Sequence, residues 1–138
     1  MNAAANLNWL VGRFVQQVAA VRQAVVVSSD GLALAVSDGV DREMGERLSA
    51  VASGMIGLAY GSAGRSGAGA VSNVIVEMEN GWMFVTGIRD GSLMCVVTTK
   101  HADIGTIGYE IAVFADRAGD VLTPEVREEL KSLMLSRA

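Results

Sequence analysis

Apolar and polar positions follow two distinct periods along this chain, and each period predicts a kind of element. Leu7, Leu10, Val11, Phe14, Val18 and Val21 recur at i, i+3, i+4, i+7, i+11 and i+14, which is one face of an amphipathic helix. Asn6 is its expected N-cap, and residues 1–5 are expected to form a loose tail. Gly12 and the valines lower the intrinsic propensity of this helix, so packing must hold it. Two apolar runs follow, Ala24 to Ser28 and Leu32 to Ser37, separated by Ser29-Asp30-Gly31. They predict a hairpin, and their unbroken apolar character predicts strands covered on both faces. From Val71 to Lys100, three runs rich in β-branched residues are cut by Asn80-Gly81 and Asp90-Gly91. Asn-Gly and Asp-Gly accept the positive φ angles of tight turns, so this segment reads as a three-strand antiparallel meander.

Between hairpin and meander the period returns to that of a helix. Asp41 is the expected N-cap, Glu43 lies in the first turn where the helix dipole favours an acid, and the helix is expected to run to about Tyr60. Met44, Leu48, Val51, Met55 and Leu58 form a narrow apolar stripe expected to face the sheet. The far side carries Arg42, Glu46, Ser49, Ser53, Ile56, Gly57 and Tyr60, flanked by Ala50, Gly54 and Gly61. A glycine inside a helix costs roughly 1 kcal/mol relative to alanine, so Gly54, Gly57 and Gly61 need a reason. Close approach of another backbone supplies one. Gly61 to Ala70 reads as a flexible connection. After the meander, Ile104, Ile107, Ile111 and Phe114 mark a third helix with Asp103 near its start. Thr123-Pro124 opens a last short helix, expected over 123–137, with apolar Val126, Leu130, Leu133 and Met134. The expected order is α-β-β-α-β-β-β-α with a helix appended: an α+β fold whose five-stranded antiparallel sheet is sandwiched by helices, in one domain over residues 1–138.

Composition narrows the function classes. Half of the 138 residues are apolar and the net charge is −4; the first argues for a packed core, the second against a phosphate-backbone binder. No run of Lys or Arg appears, so no nucleic-acid partner is expected. Cys95 is the sole cysteine and sits in a predicted buried strand, where it reads as a small core residue. No secretory signal and no span long enough for a bilayer are evident, so a soluble cytoplasmic protein without direct membrane insertion is expected. Any recruitment to a membrane would run through partners.

The chemistry-bearing residues do not assemble into a catalytic set. The Gly-rich stretch after Tyr60 lacks a lysine and follows a helix, the reverse of the order that aims backbone amides at phosphates. His101 is the only histidine and has no nucleophile to pair with; one His and one buried Cys make no metal-ligand set. Glu77 and Glu79 share one strand face and read as a solvated strand end. Arg65, a lone cation in a Gly/Ser stretch, is of the type that could reach a partner's nucleotide, but a solubilising role explains it better. No cofactor, metal or catalytic residue is expected, and the chain is read as a non-enzyme.

The order of elements resembles the roadblock/dynein light chain domain. Val97 to Glu110 (Val-Thr-Thr-Lys-His-Ala-Asp-Ile-Gly-Thr-Ile-Gly-Tyr-Glu), Ala24 to Leu34 around Ser29-Asp30-Gly31-Leu32, and Leu122-Thr123-Pro124-Glu125 resemble roadblock proteins of actinobacteria. The resemblance implies a homodimer that binds a small Ras-like GTPase, with a histidine-kinase-like protein as a further associate. It implies that the third strand pairs with its dimer mate and that the second helices lie side by side. On this chain those positions are Asn73, Ile75 and Glu77 of the strand, and Gly54, Gly57 and Gly61 of the helix. The GTPase would meet Arg42, Glu46, Ser49, Ser53 and Tyr60. The implied role is a non-catalytic bias on the GTPase's nucleotide state. The alternatives are a dimeric scaffold with no effect on turnover, or a sensory module holding a small ligand between helix and sheet, a space the bulky stripe is expected to fill.

Overall fold

The structure is a computed structural model that describes residues 2–136. Its elements run α1 (Ala3–Gln17), β1 (Val21–Val27), β2 (Ala33–Val36), α2 (Arg42–Ser66), β3 (Asn73–Met78), β4 (Gly81–Gly87), β5 (Leu93–Thr99), α3 (Ile104–Val121) and α4 (Pro124–Leu135). The five strands form one antiparallel sheet in the order β2-β1-β5-β4-β3. The two Asp-Gly turns expected at Gly31 and Gly91 take φ of +88° and +93°, the region where only glycine is unstrained.

The sheet is covered on both faces, as the continuous apolar runs require. Strand alternation sends Ala24 and Val26 of β1 to one core, with Leu7, Val11 and Phe14 of α1, Ile107, Ile111 and Phe114 of α3, and Val126 and Leu130 of α4. It sends Val25 and Val27 to the other, with Leu48, Ala52 and Ile56 of α2. The rings of Phe14 and Phe114 meet edge to face at 5.5 Å, a geometry favoured by the ring quadrupoles.

Helix starts obey local chemistry. The carboxylates of Asp41 and Asp103 accept from the amides of Met44 and Thr106 at 2.8 Å, and the Thr123 hydroxyl accepts from Val126 at 3.2 Å. The bond from the Thr106 amide holds the Asp103 carboxyl below the usual carboxylate range. The first helix departs from expectation. It is capped by Asn2, whose side chain accepts from the Ala5 amide at 2.8 Å, so Asn6 lies inside the helix and the segment expected as a tail is helical from Ala3. Met1 and residues 137–138 lie outside the described residues, and with them the expected end of the C-terminal helix at residue 137.

α2 also departs from expectation, in two ways. It does not stop near Tyr60 but continues through Gly61 and Gly64 to Ser66, and ends where Gly67 turns left-handed at φ 72°. Ser62 and Ser66 donate to the carbonyls of Ala59 and Ala63, alanines favour the helix, and a left-handed glycine is the usual terminator. The stripe against the sheet is rotated as well. The buried positions are Gly45, Leu48, Ser49, Ala52 and Ile56, whereas Val51 and Leu58 are 40% and 81% exposed. Small residues let the helix lie close to a sheet that supplies bulky Val25, Val27, Met83, Val85 and Leu93 from its own side. A Cβ on Gly45 would come to 3.2 Å from Val36, so the closeness is real.

Candidate functional site

The rotation of α2 reassigns its surface. With 3.6 residues per turn, Gly54, Gly57 and Gly61 stand opposite the buried Leu48, Ala52 and Ile56, and all three are exposed with open space where a Cβ would be. Leu58 shares their sector and Val51 borders it. The first turns of the same outer surface are charged instead, with Arg42–Glu46 and Glu43–Arg47 pairs at 3.0 Å. These exposed i,i+4 pairs contribute little to stability. The outer face of α2 is therefore charged in its first half and apolar, with small residues, in its second.

β3 lies at one edge of the sheet, paired only with β4 in the register Asn73↔Thr86 to Met78↔Gly81. Its outer backbone groups are unpaired among the described residues, a ready template for another strand. Ile75 ends a row that runs through Phe84, Val96 and Ala24 on the α1/α3 side. Its neighbours in that row are buried, yet Ile75 is 45% exposed. Val74 and Val76 are half-buried on the α2 side. Glu77 pairs with Lys100, whose ammonium also sits 4.7 Å over the Trp82 ring, and Asn73 accepts from the Thr86 hydroxyl at 2.8 Å. Thus Gly54, Gly57, Gly61, Asn73, Ile75 and Glu77 are all accessible.

The residues expected to meet a GTPase are divided by the structure. Arg42, Glu46 and Tyr60 are exposed. Ser49 is not: it is buried, and its hydroxyl donates to the Gly45 carbonyl at 2.7 Å, which satisfies it inside the helix–sheet packing. Ile56, expected on the far face, is likewise buried at 4% exposure. Ser53 is half-buried, and its Oγ is shielded with no hydrogen-bond partner among the described residues. Val51 and Leu58, expected against the sheet, are surface residues that the stripe reading misplaced. The glycines held the signal for Leu58, because it lies in their sector.

Other candidate groups are not drawn together. Arg65 is exposed in the last turn of α2, where a cation suits the dipole. His101 is exposed in the turn before α3. Burial pushes the Cys95 thiol up to about 12, which makes it inert rather than nucleophilic. Among the described residues no group of three His, Cys, Asp or Glu side chains could hold a metal ion, and no helix is long and apolar enough to cross a membrane.

An open sheet edge thus lies beside a helix whose outer face is small and apolar. Residues 7–98 match the Roadblock/LC7 domain, and the chain belongs to that family, which is generally non-catalytic and regulatory. A Roadblock/LC7 domain from Streptomyces avermitilis is 32% identical, over 80% of this chain and 92% of that one, with a TM-score of 0.75. MglB of Myxococcus xanthus is 15% identical over 84% and 94%, TM-score 0.76. Profilin IB of Acanthamoeba castellanii is 16% identical over 83% and 97%, TM-score 0.61. The last two share the fold. No curated protein matches the chain.

Proposed function

We propose that this chain is a homodimeric, non-catalytic regulator of a small Ras-like GTPase, acting as one roadblock-like unit over residues 1–138 in the cytoplasm. One observation carries the reading: the apolar, glycine-bearing half of α2 and the unpaired β3 edge are exposed together in a single protomer. Two copies joined edge to edge through β3 would satisfy the strand's free backbone groups and bring the glycine faces of two α2 helices into contact. Asn73, Ile75, Glu77, Gly54, Gly57 and Gly61 then belong to the dimer contact. The charged first half of α2 stays outside, and Arg42, Glu46 and Tyr60, with Ser53 beside them, are left to meet the GTPase. Family membership supports a regulatory role of this kind.

The mechanism is a population shift. A dimer that binds one switch conformation better than the other biases the GTPase by that differential affinity and by no more. The test is light scattering on a size-exclusion column, with the protein alone and mixed with the GTPase encoded nearest to it, loaded with GDP or a GTP analogue. A dimer alone and a complex in one nucleotide state are expected. A complex in both states with unchanged turnover would make the protein a scaffold, and a monomer would remove the β3 contact.

A further inference from the structure

The space between α2 and the sheet is filled by Leu48, Ala52 and Ile56, so no ligand fits there. A different space is open. At the other edge of the sheet, β2, the first turn of α2 and the last turn of α4 line a cavity of about 130 Å³ that is partly open to solvent. Its walls are Leu32, Ala33, Val36, Val40, Met134 and Leu135. We propose that this cavity is a binding site for a small, neutral, apolar molecule, the size of a benzene ring or a short alkyl chain.

Size and wall chemistry set the class. The pocket is open on one side, but its apolar side chains outnumber its charged ones, and a molecule the size of a benzene ring that sets its faces against them is driven in by the burial of apolar surface. Charge excludes the alternatives. Four charged residues, Asp41, Arg42, Glu46 and Lys131, also line it, and all are engaged. Asp41 accepts from the Met44 amide at 2.8 Å. Arg42 pairs with Glu46 at 3.0 Å. Lys131 lies 3.3 Å from Asp30 and 3.6 Å from Glu128. An anionic or cationic head group would have to displace one of these partners, and a polar body would leave its own groups unpaired against the walls.

The position explains why the space exists. The first half of α4 is fixed: Val126 and Leu130 are buried, and Arg127 holds Asp90 at 3.0 Å. Its second half is loosely seated, with Leu133 and Leu135 43% and 62% exposed. A ligand would supply the contacts that α4 and α2 do not make with one another. Because Arg42 and Glu46 line the cavity, an occupied cavity would border the surface assigned above to the GTPase, although binding itself does not depend on that assignment.

The experiment titrates the full chain with benzene and, separately, with benzoate, reading thermal unfolding and amide hydrogen exchange. Benzene is expected to raise the melting temperature saturably and to slow exchange at the two ends of the cavity, around Arg42–Glu46 and Met134–Leu135. Ala33→Leu, which fills the cavity, is expected to lose both effects. If that variant does not fold, Leu135→Asn, at an exposed position, is expected to weaken them. No shift up to the solubility of benzene would overturn the site. So would a shift undiminished in whichever of these variants folds. Benzoate binding as tightly as benzene would overturn the neutral class.

Discussion

At the scale of single residues, close approach decides more than hydrophobicity. Gly81 opens β4 opposite Thr99, and a Cβ there would fall 2.3 Å from the Thr98 carbonyl oxygen. That neighbour is ladder backbone and cannot turn aside. Gly81→Ala is therefore expected to cost about 1–3 kcal/mol through forced backbone displacement, measured by urea unfolding; a cost near zero would mean that the β4–β5 ladder yields at this point. Cys95 makes a different prediction at the same scale. Its thiol is raised from 9.0 to about 12 by burial, so the native state favours the neutral form more than the unfolded chain does. The resulting stability is complete below pH 9.0 and is lost as the pH climbs towards about 12. Cys95→Ala should flatten the alkaline fall of stability relative to the wild type, in a urea series run over that range. Parallel alkaline curves would show that the thiol is not the group responsible.

At the scale of elements, what could be read from the chain was what is local. Asp41, Asp103 and Thr123-Pro124 were legible as helix starts because a cap is a contact between a side chain and an amide two or three residues away. The last turn of the meander was legible because Asp90-Gly91 carries its geometry with it, Gly91 taking the expected positive φ. At Asn80-Gly81 the break was placed correctly but for another reason, since Glu79-Asn80 make the turn without a positive φ and Gly81 already opens β4. The facing of α2 was not. Bulk marks a core stripe only when the helix supplies the bulk, and here the sheet supplies it while Gly45, Ser49 and Ala52 let the helix approach. The end of α2 was hidden for a related reason: Gly61 reads as a breaker, but the residue that ends the helix is Gly67, through its left-handed φ. The exposed glycines remain the element's most specific statement. Gly57→Leu adds a side chain into open space within the protomer, so it should leave folding intact while holding two α2 helices apart. Sedimentation is expected to show association weakened by about tenfold or more, about 1.4 kcal/mol or more. An unchanged dimer would place this face outside the contact.

At the scale of the whole molecule, the sheet has two edges with different surroundings. β2 runs beside α4 and α2, whose last and first turns line a small, partly open cavity with it. β3 has a partner strand on one side only, and the apolar groups near it, Ile75 and Met78, stay 45% and 37% exposed. Each protomer nevertheless has two complete hydrophobic clusters, one on each face of the sheet. The candidate site was legible in the sequence as a set of small residues needing a neighbour, but its boundary was not, because it depends on which edge of the sheet stays open. Edge identity comes from strand order, and the register of distant strands has no local signature. If β3 is closed by a second copy, unfolding consumes the dimer, and stability must depend on protein concentration. Each tenfold dilution should then cost about 1.4 kcal/mol per dimer, and the melting temperature should fall steadily between roughly 100 μM and 1 μM chain, a window wide enough to resolve that cost. A melting temperature constant across that range would mean that the two clusters hold the protomer by themselves and that the β3 edge is open in solution.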